Sequence, residues 1–453
     1  MDETEYRGIV KEKLQSAAAD IGSPVLVSRK DGFTVEGRVL PRYMLSSPDI
    51  LVIKLSNGYN IGVKIDDSTV IEKIDESEEA KPSGTTVYLD EHSRKPPEKK
   101  VYIVGTGGTI ASRIDYRTGA VYPYISTEEL LQAVPELHSL AEVEVYELYN
   151  IFSEDMTPRH WSRLAEKVYD LFEKGATGIV VAHGTDTMGY TAAALAFAFR
   201  ETLPGPLVFT GSQRSSDRPS SDSAFNIISS VLVASRSDVR ESIVVMHGVT
   251  GDDYALAHRG VRVRKMHTSR RDAFQSINTL PLLKVYPEKM MFEQIGEPLF
   301  RKPFSGSVQL KADYSDKVGL VKHYPGMNGE MIDMLVDRGY QGIVIEGTGF
   351  GHVSNKAIKS IERAVDNGIP VISTSQCIFG RVNLNVYSTG RRMLRAGVIP
   401  AEDMLSETAY VKLSWLLGQG LEFPEIKRLF RQNIVGEMDD RTTLRSYPRW
   451  YHG

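Results

Sequence analysis

From residue 101 onward, short apolar runs alternate with longer stretches of helical period, and this confines the chain to a parallel sheet with covered faces. The runs are 101–104, 143–145, 178–182, 207–210 and 243–246. Between them, residues 158–174 put Trp161, Leu164, Ala165, Val168, Leu171 and Phe172 on one stripe. This helix opens on Thr157-Pro158 as N-cap and first helical residue and stops at Gly175. Residues 278–310 hold Pro281, Pro287, Pro298 and Pro303 with little periodicity, and read as a connecting segment. A second αβ unit follows, with strands at 318–321, 342–346 and 370–374 and helices near 327–338, 355–367 and 401–417.

Ahead of residue 99 the period is different. Residues 22–75 hold five short strand-like runs divided by turns such as Lys30-Asp31-Gly32 and Ser56-Asn57-Gly58, which predicts a small SH3-like all-β barrel. Residues 1–21 read as an amphipathic helix on Ile9, Leu14 and Ala17, and 76–98, acidic and then rich in Pro and Ser, as a linker. The expected order is therefore helical segment, barrel, linker, large α/β domain (99–277), connecting segment (278–310), smaller α/β domain (311–425) and a tail (426–453) whose last part, 441–453, is basic and aromatic. With 453 residues the chain exceeds the ~250–300 at which single cores stop growing.

A net charge of −4 supplies no global field toward nucleic acid or an anionic membrane. One cysteine, Cys377, excludes an internal disulfide framework and suits a reducing compartment. The amino terminus carries neither a signal core nor a transit pattern, and no run approaches ~18 apolar residues. A cytoplasmic protein with no membrane contact is expected.

Chemistry concentrates where the strands end, the edge at which open α/β sheets bind ligands. The first strand runs into Gly105-Thr106-Gly107-Gly108-Thr109 and the third into His183-Gly184-Thr185-Asp186-Thr187; Ser153 and Glu154 follow the second. Lys265 closes Arg262-Val263-Arg264-Lys265, in a segment (260–267) that reads as an extended strand. A threonine hydroxyl is a weak nucleophile until a neighbouring base takes its proton, and a lysine can be that base where its surroundings favour the neutral amine. Amide attack also creates an oxyanion, for which the backbone N–H groups around Thr109 and Thr185 are suited, since Gly108 and Gly184 allow close approach.

Each element also has a plainer explanation. Gly-Gly-Thr after a strand can be a phosphate turn, but the dinucleotide spacing and the Walker lysine are missing. His-Gly-Thr-Asp-Thr can be a helix N-cap, and Lys265 a solvated strand face. His183 and His247 end apolar strands without a ligand set, so core or loop histidines are expected and no metal site. Tyr116, in a polar turn-rich stretch, is either a lid residue or an exposed loop tyrosine.

Together, Thr106-Gly107-Gly108-Thr109-Ile110-Ala111, His183-Gly184-Thr185-Asp186-Thr187 and the downstream Lys265 resemble the signature segments and catalytic lysine of the bacterial-type L-asparaginase and glutaminase family, over about residues 99–425. The resemblance implies an α/β, asparaginase-like two-domain parallel-sheet fold and side-chain amide hydrolysis through an acyl-enzyme. It also implies active sites completed across a dimer. It makes Thr109 the primary nucleophile on a loop with Tyr116 as partner, and Thr185, Lys265 and Asp186 a second triad. Ser153, Glu154 and Asp186, with Gly108 and Gly184, become substrate-binding positions. Gly347-Thr348-Gly349-Phe350-Gly351-His352 departs from the Asn-containing loop with which family members reach a neighbouring site.

The added barrel, linker and tail are similar to the D-type subunits of archaeal glutamyl-tRNA(Gln) amidotransferases. That similarity implies glutamine or asparagine as amide donor and an E-type partner subunit that contacts tRNA. It further implies a homodimer within a heterotetramer, no cofactor in this chain, and ATP and Mg for the partner. A free-standing L-asparaginase or glutaminase with an accessory barrel, and an inactive amino-acid-binding scaffold, are the alternatives.

Overall fold

The structure, a computed structural model, describes residues 6–40, 47–54, 60–74, 99–107, 112–114, 121–123, 130–131, 134–214, 221–443 and 447. Contacts divide the chain into two units: Met1–Pro96 with Ala111–Tyr124 and Arg214–Ser221, and the remainder.

In the first unit, helix α1 (Gly8–Ser16) precedes strands β1 (Pro24–Ser28), β2 (Thr34–Val39), β3 (Ile50–Lys54), β4 (Asn60–Lys64) and β5 (Val70–Lys73). The strands pair antiparallel in the order β4-β3-β2-β1-β5, so the last returns to the first. Alternate residues such as Val25, Val27, Ile53, Val63 and Ile71 are buried together, as a pleated sheet with one core face requires. Tyr6, Val10 and Leu14 join that cluster, and the Tyr6 hydroxyl donates to the Leu40 carbonyl at 2.7 Å while accepting from Val52 N–H at 3.0 Å. The amino-terminal helix thus belongs to the barrel's core.

The chain continues through β6 (Lys100–Gly105), the hairpin β7 (Ser112–Ile114) and β8 (Val121–Pro123), and β9 (Glu142–Glu147). Then come α2 (Pro158–Glu173), β10 (Gly178–Ala182), α3 (Met188–Phe199), β11 (Leu207–Thr210), α4 (Ser223–Arg236), β12 (Ser242–His247) and β13 (Ala255–Arg259). Next are β14 (Val263–Lys265), β15 (Phe274–Ser276), β16 (Leu283–Tyr286) and β17 (Met291–Gln294). The large sheet has the order β17-β16-β13-β12-β11-β10-β6-β9. From β9 to β12 neighbours are parallel; β13, β16 and β17 extend that edge antiparallel, so the sheet is mixed. The helix at 158–174 begins as its sequence requires: Thr157 forms a capping box with His160, and Pro158 takes the first turn.

Two expectations need correction. The segment 278–310 holds two strands, β16 and β17, because Pro287 sits in the turn between them, followed by Met290 at φ 52°, and does not interrupt either. Residues 260–267 are not one extended strand: Gly260–Arg262 form a 3-10 turn, and only Val263–Lys265 pair, with β15.

The smaller sheet, β18 (Val318–Lys322), β19 (Gly342–Gly347), β20 (Val371–Ser375) and β21 (Ile399–Pro400), is parallel throughout. Helices α5 (Glu330–Asp337), α6 (Ile358–Asp366), α7 (Ser388–Arg395), α8 (Ser406–Gly418) and α9 (Phe423–Phe430) accompany it. Val344 and Ile372 face a core shared with the large sheet's Val104, Val181 and Phe209, while Ile343, Ile345 and Val371 face a separate cluster. Residues 426–440, expected as the start of a tail, instead carry buried Ile426, Phe430, Val435, Glu437 and Met438. Among the described residues, no helix is long and apolar enough to cross a membrane.

Candidate active site

Parallel pairing of β6 with β9 and β10 brings the carboxyl ends of all three strands to one edge, and the turns that follow interlock. Thr106 donates both its N–H and its hydroxyl to the Ala182 carbonyl, each at 3.0 Å. Gly107 lies at φ +106°, and a Cβ there would stand 2.2 Å from the Ile151 carbonyl oxygen, so only glycine lets the first motif lie against the segment after β9. A Cβ on Gly184 would stand 2.8 Å from the Ser153 Cβ. Thr187 donates its hydroxyl to the Ser153 carbonyl at 2.6 Å. The second motif therefore grips the Ser153–Asp155 turn, with Ser153 buried and Glu154 exposed beside it.

Lys265 arrives from β14. Its Nζ donates to Thr185 Oγ1 at 2.8 Å and to Asp186 Oδ1 at 2.9 Å. Thr185 is buried, the Lys265 side chain is 14 % exposed and that of Asp186 68 %, so the amine bridges a sheltered hydroxyl and a carboxylate open to solvent. An amine and a hydroxyl at hydrogen-bond distance can pass a proton between them. Gly211, at the end of β11, backs this group: a Cβ there would stand 2.9 Å from Thr185 Cγ2.

Of the residues singled out in the sequence, the structure brings together Thr185, Asp186 and Lys265, and separately joins Gly184 with Ser153. Gly108, Thr109 and Tyr116 lie outside the described residues. Sequence reasoning missed Thr187, because a threonine before a helix reads as an N-cap. It does occupy that position, yet its side chain caps nothing and bonds Ser153 instead.

His183 and His247 are both buried. The His183 Nδ1–H donates to the Gly184 carbonyl at 2.7 Å, and burial pushes its pKa down from 6.5 to about 4. His247 lies 2.7 Å from Asn226 Oδ1 and 2.9 Å from Asp252 Oδ1. His258, also buried, is pushed down to about 3. The unfolded chain protonates such imidazoles near pH 6.5 and the folded one only near 4 or below, so unfolding takes up protons in between. Stability should fall as the pH drops from about 6.5 toward 4. Urea midpoints at about pH 7 and pH 5 test this: a lower midpoint at the acid pH is expected, and equal midpoints contradict it. Among the described residues, no group of three or more His, Cys, Asp or Glu could hold a metal ion.

Three parts of the chain match known families. Residues 100–295 match a family described as Asparaginase, N-terminal, residues 317–430 a Glutaminase/Asparaginase C-terminal domain, and residues 19–74 a GatD N-terminal domain. The D-type subunit of a glutamyl-tRNA(Gln) amidotransferase from Aeropyrum pernix is 53% identical over 93% of this chain and 98% of its own length. Its counterpart from Pyrococcus abyssi is 52% identical over 97% and 100%. The thermostable L-asparaginase from Thermococcus kodakarensis superposes with a TM-score of 0.67 at 31% identity, covering 76% of this chain and 100% of that one. L-asparaginase I from Vibrio cholerae gives 0.66 at 30% identity, covering 75% and 99%.

Proposed function

The chain belongs to the family of D-type glutamyl-tRNA(Gln) amidotransferase subunits, and on that premise we propose that it releases ammonia from glutamine or asparagine for a partner subunit. The partner spends that ammonia on converting Glu-tRNA(Gln) to Gln-tRNA(Gln). The observation that carries the reading is the Lys265 amine shared between the Thr185 hydroxyl and the Asp186 carboxylate at the carboxyl edge of the large sheet.

In this mechanism a threonine oxygen attacks the side-chain amide carbon, and its proton passes to a base. The carbonyl electron pair moves onto oxygen, where backbone N–H groups of the glycine-rich turns stabilise the oxyanion. Collapse expels the nitrogen, which takes a proton and leaves as ammonia, and the acyl group remains as an ester on threonine. Water attacks the ester in the same way, and the threonine regains its hydrogen. Family resemblance assigns the first attack to Thr109, with Tyr116 beside it on the loop. Thr185, Lys265 and Asp186 then form the proton-handling triad, and Ser153, Glu154 and Asp186 hold the α-carboxylate and α-amino groups of the substrate, with Gly108 and Gly184 giving it room. ATP and Mg chemistry falls to the partner, an E-type subunit that also makes most of the tRNA contact. Two copies of this chain and two of the partner complete the assembly, which works in the cytoplasm.

Measuring ammonia release from glutamine by this chain alone, with its partner, and with partner, Glu-tRNA(Gln) and ATP tests the proposal. Release should rise when all are present, and glutaminyl-tRNA should accumulate. Full hydrolysis by the isolated chain, indifferent to both additions, would instead mark a free-standing amidase. Binding without turnover would mark a scaffold.

A further inference from the structure

Arg262 stands three residues before Lys265 and is 1% exposed, so its guanidinium must find every partner inside the protein. Nε donates to the Gly436 carbonyl at 3.0 Å. Nη1 donates to the Asp403 carbonyl at 3.2 Å and to Asp403 Oδ2 at 3.0 Å. Nη2 lies 3.4 Å from Asp403 Oδ1 and 3.1 Å from Asp439 Oδ2. The Asp439 N–H donates to Asp403 Oδ1 at 3.0 Å, which closes the group. One planar cation thereby joins three stretches of chain: the turn that leads into β14, the loop before α8, and residues 433–440.

The backbone around Arg262 is held equally firmly. Its carbonyl accepts from Ile277 N–H at 2.7 Å, and the Val261 carbonyl accepts from the Thr408 hydroxyl at 2.9 Å. On the other side, a Cβ on Gly189 in the first turn of α3 would stand 3.2 Å from the Val263 carbonyl oxygen. Strand β14 is thus wedged between the helix that follows the Thr185 turn and the segment that follows α9. The reach of Lys265 to Thr185 depends on where that wedge sits.

We propose that Arg262 is a positioning residue for Lys265, and that Asp439 and Gly436 make the carboxyl-terminal segment a working part of the amidase. The inference rests on the amidase reading above. A fork held at Asp403, Gly436 and Asp439 fixes β14 in direction as well as depth, which a single ammonium cannot do.

The test compares ammonia release by the full chain, with its partner, in the wild type and in the variants Arg262→Lys, Asp439→Asn, the two combined, and Lys265→Met. Misplacing a proton-transfer group slows the chemical step and leaves substrate binding alone. Arg262→Lys should lower kcat about tenfold or more with KM within about twofold, and Asp439→Asn should lower kcat about threefold. The double variant should lose no more than Arg262→Lys, because both act along one path. If Arg262→Lys fails to fold, Asp439→Asn decides alone, since its side chain is half exposed and its removal leaves Asp403 in place. Wild-type kcat in the folded variants, with Lys265→Met inactive, overturns the positioning role. Lys265→Met as active as the wild type brings down the amidase reading itself, and this inference with it.

Discussion

Replacing Lys265 with methionine should lower kcat for amide hydrolysis by on the order of 10²- to 10⁴-fold, the span usual for loss of a positioned proton-transfer group. The methionine keeps the length and apolar stem of lysine but removes the amine that lies 2.8 Å from Thr185 Oγ1 and 2.9 Å from Asp186 Oδ1. Thr185→Val removes the other end of the same contact at nearly constant volume, and should cost a similar factor. Groups that act as a unit are not additive, so the double variant should be no slower than the worse single one. Steady-state ammonia release, with circular dichroism to verify folding, measures all three. Retention of more than about a third of wild-type kcat by Lys265→Met would remove the amine from the chemistry.

Glu437→Gln should be the most destabilising conservative substitution, at about 3–5 kcal/mol. Lys412 and Glu437 pair at 2.5 Å with both side chains 0% exposed. Lys412 also donates to the Phe430 and Gln432 carbonyls, and the Glu437 carboxylate accepts from Ile434 and Val435 N–H groups. Burial pushes the Lys412 ammonium down from its ordinary pKa, and Glu437 opposes that shift. Without the carboxylate, a cation stays buried against carbonyls alone. Removing both charges with Lys412→Met and Glu437→Leu should restore most of the loss, as buried pairs often contribute little beyond a hydrophobic substitute. Urea denaturation of the single and double variants gives the comparison; a loss under about 1 kcal/mol in Glu437→Gln would show the pair to be structurally idle.

The parallel part of the large sheet was legible because strands buried on both faces read as continuous apolar runs, and 101–104, 178–182, 207–210 and 243–246 all fall within strands. Its antiparallel extension was harder to see. Leu283–Tyr286 and Met291–Gln294 are short, partly exposed and flanked by prolines; they pair with each other across the Pro287 turn, and only the pairing of Leu283–Val285 with β13 ties them to the sheet. At the site, the glycine-rich turns announced themselves, since close approach to the Ile151 backbone at Gly107 and to the Ser153 side chain at Gly184 leaves few residue choices. Lys265 was legible as a candidate amine near the strand ends, and the family resemblance gave it its role; nothing in Arg262-Val263-Arg264-Lys265 itself says which cation meets a threonine 80 residues upstream. Arg262 was indistinguishable from Arg264 by type. Burial separates them: one is sealed among Asp403, Gly436 and Asp439, while the other is 35% exposed beside Glu407. The core role of residues 426–440 was hidden for the same reason, because Glu437 looks like a solvent-facing acid until the buried Lys412 it pairs with is known.

Helix α3 springs directly from the Thr185-Asp186-Thr187 turn, and from Thr191 to Phe199 every residue in it is buried. Over that length it has no wet face. Alanines at 192, 193, 194, 196 and 198 let it lie close to α8 on one flank and β12 on the other. Such a rod cannot tilt or slide without disturbing both sheets at once, so the turn at its head stands on a rigid footing, and whatever must move to admit and release substrate has to do so elsewhere.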